Sequence, residues 1–424
     1  MLKTFVFKFG GASVKDASAI KNLAEILNKR LQNNLIIVIS AIGKSTNGLE
    51  LIVRNKFSNE DFSSNIHILK DHHLDICQEL FASGHPIFAQ VENLFLQVER
   101  SLSRSVQEAD YDKFYDEIVS YGELLATRIV HEYLCDQQLY CLWQDVREII
   151  VTDESHRFAQ IDWEATQRNC KKTLLPKMAK LPIITQGFVG RSLSGHTTTL
   201  GREGSDFTAA ILGNCLDARS VTIWKDVPGV LNADPKKFSD TILYEELDYQ
   251  EAAEMTFYGA SVIHPKTIKP LANKNIPLWV KSFLDPDAHG TKITKSPNRP
   301  VFPALIVKEE QILVTIKVTD FTFINEMHLQ KIYEVVNSLK LVINLIQTSA
   351  ITVSICMDRD LFKLEKLLQS FGNDFQIKYN EDLKLLTILH YSGDLIKQYE
   401  QEKNILVEQR TRNSYQIVFL PNVQ

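Results

Sequence analysis

Cysteine, basic excess and long apolar runs are all scarce in this sequence, and each scarcity removes a class of protein. Six cysteines, at positions 77, 135, 141, 170, 215 and 356, are spread over 424 residues without a CxxC pair. That excludes a disulfide-stapled secreted scaffold and fits reduced thiols in a cytoplasmic setting. Lys and Arg total 47 against 52 Asp and Glu, for a net charge of −5; with no basic excess, nucleic acid is not an expected partner. No stretch reaches the roughly 18 apolar residues of a membrane helix. The opening MLKTFVFKF is too short for a signal-peptide core and is broken by Lys8, so neither membrane insertion nor export is expected.

What is present is ordinary globular material. Hydrophobic residues make up 44% and charged residues 23%, near the averages of about 45–50% and 25%. At about 150 residues per domain, the length implies two or three domains.

The rhythm of the chain is that of an α/β protein. Thr4 to Phe9 reads as a strand ending in Gly10-Gly11, and Ile20, Leu23, Ala24 and Leu27 follow at helical spacing. Leu35 to Ser40 is an apolar run suited to a strand covered on both faces. Residues 50–128 read as mostly helical. Strand signals return at Tyr140–Leu142, Pro182–Thr185, Val221–Trp224 and Leu278–Val280, alternating with helical segments up to about residue 295. SPNRPVFP at 296–303 marks a boundary. From 304 to 424 a strand-helix-strand-strand pattern occurs about twice, the second copy incomplete, with a hairpin expected over Phe375–Tyr391. Small α+β ferredoxin-like units fit this pattern.

Three segments carry chemistry. Lys8-Phe9-Gly10-Gly11-Ala12-Ser13 joins strand to helix; glycine amides, a helix start and Lys8 together make a phosphate cradle. The same hexapeptide also suits a plain tight turn with positive φ. Neither GxxxxGK[ST] nor GxGxxG fits it, which removes the P-loop and dinucleotide-binding readings. Thr197 to Ala210 gathers hydroxyls, glycines and Arg202 before a helix with Ser205 or Asp206 as its expected N-cap, an arrangement suited to a carboxylate and a phosphate together. The third, Trp224 to Val230 with Asn232 to Lys236, sits where open α/β sheets bind nucleotides. Asp71-His72-His73 reads as a solvated helical face, and no metal site is expected.

Together these segments closely resemble the aspartokinases of the amino acid kinase family. The resemblance rests on KFGGASV at Lys8, VISAIGKSTN at Val38, Gly122-Glu123, GFVGRSLSGHTTTLGREGSD at Gly187, WKDVPGV, ADPK, EAAEMTFYGASVIHP at Glu251, and Gly290-Thr291. It implies an amino acid kinase fold over 1–295, a mainly parallel sheet sandwiched by helices. A tandem ACT-like regulatory region would follow over 304–424. It also implies transfer of a phosphoryl group from Mg-ATP to the side-chain carboxylate of L-aspartate, in the synthesis of lysine, threonine and methionine, by a cytoplasmic homodimer with a possible amino-acid effector at the ACT units.

By the same resemblance, Lys8, Gly10, Gly11 and Ser13 hold the ATP phosphates, with Lys8 stabilising the transferring group. Ser40 and Thr46 line the aspartate pocket. Glu123 takes the substrate ammonium, Arg202 forks onto a carboxylate, and Ser205 and Asp206 sit near the reacting end. Lys225, Asp226, Asp234, Lys236 and Ser261 belong to the nucleotide side, and Mg2+ is held mainly by phosphate oxygens and water.

Departures from the family pattern sharpen these expectations. Ser261 stands where a lysine is usual, so Lys225 or Lys266 is expected to compensate in part for its charge. In the ACT-like region Met327-His328, Asn344 and Ala350 replace Gly-Phe, an Asp and a Glu, which implies weak or no inhibition by lysine or a different effector such as threonine. A fused homoserine dehydrogenase is not expected. Two other readings stay open: a kinase for another acidic amino acid, and a catalytically weak nucleotide- and amino-acid-binding regulatory protein.

Overall fold

The computed structural model describes residues 3–260, 263–295, 302–320, 322–372, 374–400 and 404–421. They form two compact units. One holds the chain up to Val230, Leu243–Ala253 and 263–295; the other holds Leu231–Ile242, 254–260 and the described residues from 302 onward. Most of the expected boundary at 296–303 lies outside the described residues.

The first unit is built on eleven strands: β1 (Phe5–Phe9), β2 (Leu35–Ile39), β3 (Leu142–Gln144), β4 (Val151–Thr152), β5 (Ile183–Gln186), β6 (Val189–Ser192), β7 (Thr197–Thr199), β8 (Ser220–Lys225), β9 (Glu246–Leu247), β10 (Leu278–Ser282) and β11 (Thr291–Ile293). Eight form one sheet in the order β3-β5-β2-β1-β8-β10-β11-β9, and β4, β6 and β7 form a small second one. In the large sheet only β10 with β11 runs antiparallel. This is the mainly parallel α/β architecture expected from the sequence. All five residues of β2, LIIVI, are buried, as a strand covered on both faces requires. The β3 strand lies two residues beyond the expected Tyr140–Leu142, because Tyr140 is exposed beside the Gln137–Leu139 turn.

Five helices precede β3: α1 (Ala17–Asn28), α2 (Ser45–Phe57), α3 (Ser63–Leu80), α4 (Ile87–Ser103) and α5 (Tyr111–Asp136). Asp16 starts α1 by accepting the Ala19 amide at 2.8 Å. The helices α2 to α5 share one apolar core with the sheet, in which Ile37 and Ile39 join Leu49, Phe95, Phe114, Ile118 and Leu125. Burying each such side chain contributes about 1.5–3 kcal/mol, which fixes α2 and α5 beside the strand ends. Here His73 departs from the solvated reading. It is fully buried on α3, bonded to Leu69 O at 2.7 Å and 3.4 Å from the Ser45 hydroxyl, and burial lowers its pKa to about 4. It is therefore a neutral core histidine that holds the first turn of α2.

The second unit is a six-stranded antiparallel sheet of β12 (Ala304–Val318), β13 (Ile343–Thr348), β14 (Thr352–Asp358), β15 (Phe375–Leu389), β16 (Asn404–Arg410) and β17 (Ser414–Leu420), ordered β13-β14-β12-β15-β17-β16. The expected hairpin over Phe375–Tyr391 is instead one continuous strand. β15 pairs along its whole length with β12, and register shifts near Lys308 and Gln311 absorb the polar Asn380–Asp382 segment as an irregularity, with φ +57° at Asp382. Helices Glu326–Ser338 and Leu361–Ser370 pack on one half of the sheet through Ile332, Leu364 and Leu367; Gly393–Glu400 packs on the other through Ile396. Among the described residues no helix is long and apolar enough to cross a membrane.

Candidate active site

The carboxyl ends of β1 and β2, the first turn of α2, the middle of α5 and the start of helix Gly204–Cys215 converge on a cavity of about 560 Å3. Each contributes chemistry. From β1 comes Lys8, 7% exposed, whose Nζ lies 2.6 Å from Asp206 Oδ1. From β8 comes Lys225, whose Nζ lies 3.4 Å from Asp206 Oδ2. Burial alone would raise the Asp206 carboxyl, but the two ammonium groups outweigh it and hold its pKa below the usual range. The result is a buried carboxylate with two cations, net charge +1, a suitable counter-charge for a phosphoryl group.

Trp224 aims this cluster. Its ring is buried, stacked on Phe9 with centroids 5.8 Å apart and met edge-on by Phe7. That fixes the end of β8 beside the Gly10–Ser13 turn, where Ser13 Oγ donates to Trp224 O at 3.5 Å. Neither Gly10 nor Gly11 takes a positive φ, so the turn does not need glycine for that reason. Gly11 is needed for space: a Cβ there would lie 2.8 Å from Gly43 O.

Helix Gly204–Cys215 is not capped by Ser205 or Asp206 as expected. Glu203 occupies the N-cap at φ +53° without a side-chain cap bond, which leaves Ser205 and Asp206 in the first turn, buried and lining the cavity. Gly187 permits this approach, since a Cβ on it would sit 2.4 Å from Ser205 Cβ.

Glu123 projects from α5 at 3% exposure, and its Oε2 has no hydrogen-bond partner among the described residues. Burial raises its pKa to about 8; the Ala41 amide, the Lys8 charge and the Ser205 hydroxyl pull the other way. An orphaned buried carboxyl oxygen facing a cavity marks the place of a cationic ligand group. At the cavity mouth Arg202 is exposed, with no hydrogen bond or ion pair to described residues.

The structure thus brings Lys8, Gly11, Ser40, Thr46, Glu123, Arg202, Ser205, Asp206 and Lys225 to one cavity. Gly10 lies beside Lys8, 3.3 Å from Nζ at the position of a Cβ. Asp226 is exposed just after β8. Asp234 and Lys236 lie in Leu231–Ile242 of the other unit, where Asp234 accepts the Lys236 amide at 2.9 Å, and they are not among the cavity residues. Ser261 lies outside the described residues. Lys266 lies in the first turn of helix Pro265–Ala272, next to its N-cap His264, and is not among the cavity-lining residues.

Sequence reasoning missed a further wall. Glu50 and Tyr115 line the cavity with Arg157 and Phe158, held by a fully buried Asp116. Asp116 accepts from Thr199 Oγ1 at 2.5 Å, His156 Nδ1 at 2.9 Å and the Arg157 amide at 3.0 Å. Asp116 lies seven residues before Glu123, on the same side of α5, which is the one signal that could have flagged it.

This α/β cavity, with buried cations opposite an orphaned carboxyl, has the layout of a phosphotransferase acting on a small zwitterion. Residues 3–282 match the model of the amino acid kinase family. Lysine-sensitive aspartokinase 3 of Escherichia coli is 32% identical over 409 residues, 94% of this chain and 89% of that protein. Two crystal structures of E. coli aspartokinase III superpose on 99% of this chain and 96% of theirs. The complex with aspartate and ADP (R-state) gives a TM-score of 0.82 at 28% identity, and the complex with lysine and aspartate (T-state) 0.81 at 29%. The chain belongs to the amino acid kinase family, in its aspartokinase branch.

Proposed function

We propose that this protein transfers the γ-phosphoryl group of ATP to the side-chain carboxylate of L-aspartate, giving 4-phospho-L-aspartate and ADP. The observation that carries this reading is the pairing, in one cavity, of the Lys8–Asp206–Lys225 cluster with the orphaned Glu123 carboxyl. The acceptor carboxylate is ionised at pH 7, so its oxygen attacks the γ-phosphorus without a base as the bond to the ADP oxygen breaks. Catalysis reduces to orientation and charge neutralisation. Lys8 and Lys225 face the transferring group, while Glu123 holds the substrate ammonium. Arg202 takes a carboxylate, and Ser40, Thr46 and Ser205 complete the amino-acid pocket. Gly10, Gly11 and Ser13 serve the phosphates, with Asp226 on the nucleotide side.

Among the described residues no cluster of three acidic, His or Cys side chains fits a metal, and both Asp206 oxygens already face ammonium groups. This donor set suits Mg2+ that arrives on the nucleotide, coordinated by phosphate and water, where it offsets phosphate charge. The unpaired cysteines support a reducing, cytoplasmic setting. A homodimer carrying an amino-acid effector in the second unit completes the proposal.

ADP release by the purified protein with Mg-ATP tests it, comparing L-aspartate with L-glutamate and no acceptor. Aspartate-dependent release is expected. Preference for glutamate would point to another acidic substrate, and no stimulation by either would favour the regulatory reading.

Lysine is expected to inhibit weakly or not at all. The Asn344 amide is engaged at both ends: Oδ1 accepts from Lys308 Nζ, and Nδ2 donates to Gln311 Oε1 and Asp358 Oδ1, all at 2.7 Å. His328 is used in a reciprocal cap with Asn325. Neither offers an anion to an effector ammonium. Adding lysine at about 5 mM should leave ADP release within about two-fold, whereas threonine is the effector to try next; strong lysine inhibition would contradict the prediction.

A further inference from the structure

Three cavity-lining residues that carry side chains have left-handed backbones: Phe188, Glu203 and Arg157, the last at φ +67°. Such a conformation is unfavourable for any residue but glycine and persists only where the surroundings over-determine it. At Arg157 they do. Its amide donates to both oxygens of the buried Asp116, at 3.1 and 3.0 Å, and the same carboxylate accepts from neighbouring His156. The segment also lies directly against the loop carrying Arg202: a Cβ on Gly201 would be 3.1 Å from Arg157 O and 2.8 Å from Phe158 Cδ1. Two arginines therefore stand on touching loops at one end of the cavity.

The Arg157 guanidinium is positioned but loosely paired. It lies 4.4 Å from the Tyr115 ring centroid, with Glu50 at 3.9 Å and Asp112 at 3.5 Å. Both ion pairs are long for charge-assisted contacts, which settle near 2.7–2.9 Å. A carboxylate offered in better geometry would displace them.

We propose that Arg157 is a substrate-binding residue that determines specificity for a dicarboxylic amino acid. With Arg202 it takes the substrate carboxylate that is not phosphorylated, leaving Glu50 as it does so. This rests on the proposed function. The backbone lock through Asp116 sets the guanidinium in advance, so that less order is lost on binding.

Initial rates of the full-length protein, with L-aspartate and ATP varied separately, test the assignment on R157G, R157K and E50Q, alongside thermal melting. R157G is expected to raise the aspartate KM at least about five-fold while the ATP KM and kcat stay within about three-fold, the split that marks lost ground-state binding. Its melting temperature should not fall, because glycine relieves the left-handed backbone. R157K should lie between wild type and R157G. E50Q removes the competing carboxylate, so its aspartate KM should fall or stay level. A smaller rise in R157G, an equal rise in the ATP KM, or an E50Q variant as impaired as R157G overturns the assignment. Wild-type protein that releases ADP with aspartate upholds the kinase reading whatever R157G does; wild type that releases none removes that reading and this assignment together.

Discussion

Replacing Lys8 by Met will lower aspartate-dependent ADP release by about a thousand-fold, a loss of roughly 4 kcal/mol in transition-state stabilisation. Lys8 is almost fully buried and its Nζ touches Asp206 at 2.6 Å, so its charge is screened far less than a surface charge. The same substitution leaves Asp206 with Lys225 alone, at 3.4 Å. Folding stability should therefore fall as well, by about 1–3 kcal/mol. Lys225→Met removes the more distant cation and should cost about ten- to a hundred-fold in kcat. Lys266→Met should cost less than Lys225→Met, because the ammonium groups that pair with Asp206 are those of Lys8 and Lys225. Measuring kcat and melting temperature on all three variants separates the cases: a K8M protein that melts lower yet turns over normally would remove Lys8 from the chemistry. Equal losses in K225M and K266M would mean that Lys225 has no special place beside Asp206.

Local pattern made much of this legible. The strand ending in Gly10-Gly11, the apolar β2 and the helical run before β3 are short-range signals, and the motif order carried most of the cavity residues with it. What failed was set by distant partners. His73 resembles a surface histidine beside Asp71 and His72, and only Ser45 and Phe95, far away in sequence, make it a core residue. Asn380–Asp382 has the composition of a turn, but β12 supplies a partner along the full length of β15, so the segment bends without reversing. Asp116, His156, Arg157 and Thr199 meet across three separate segments, and of the four only Thr199 belongs to a motif legible in the sequence. The left-handed Arg157 could not be read from its residue type, because arginine carries no preference for that conformation.

Glu123 gives the second large effect, and its signature is pH. In the ligand-free protein burial raises its pKa from 4.5 to about 8, so at pH 7 the carboxyl is mostly protonated; it becomes a carboxylate when the substrate ammonium arrives. Binding therefore releases a proton below pH 8, and aspartate affinity must rise with pH by up to about ten-fold per unit until that value is passed. The KM for aspartate should accordingly fall about ten-fold between pH 6.5 and 8, with little change in the KM for ATP, and calorimetry in buffers of different ionisation enthalpy should detect the proton. Glu123→Gln should raise the aspartate KM about a hundred-fold or more and flatten the profile, since the amide has no charge to give. Stability shifts the other way. A carboxyl whose folded pKa is raised stabilises the fold fully below pH 4.5 and loses that contribution as pH climbs toward 8, because the unfolded chain ionises first. At pH 7.5 the Gln variant should thus be more stable than wild type by on the order of 2–4 kcal/mol, and at pH 4 about equal to it. A variant weaker in binding and firmer in folding identifies Glu123 as a group held at the expense of the fold for the ligand it meets. Loss of both together would mean that the side chain supports structure alone.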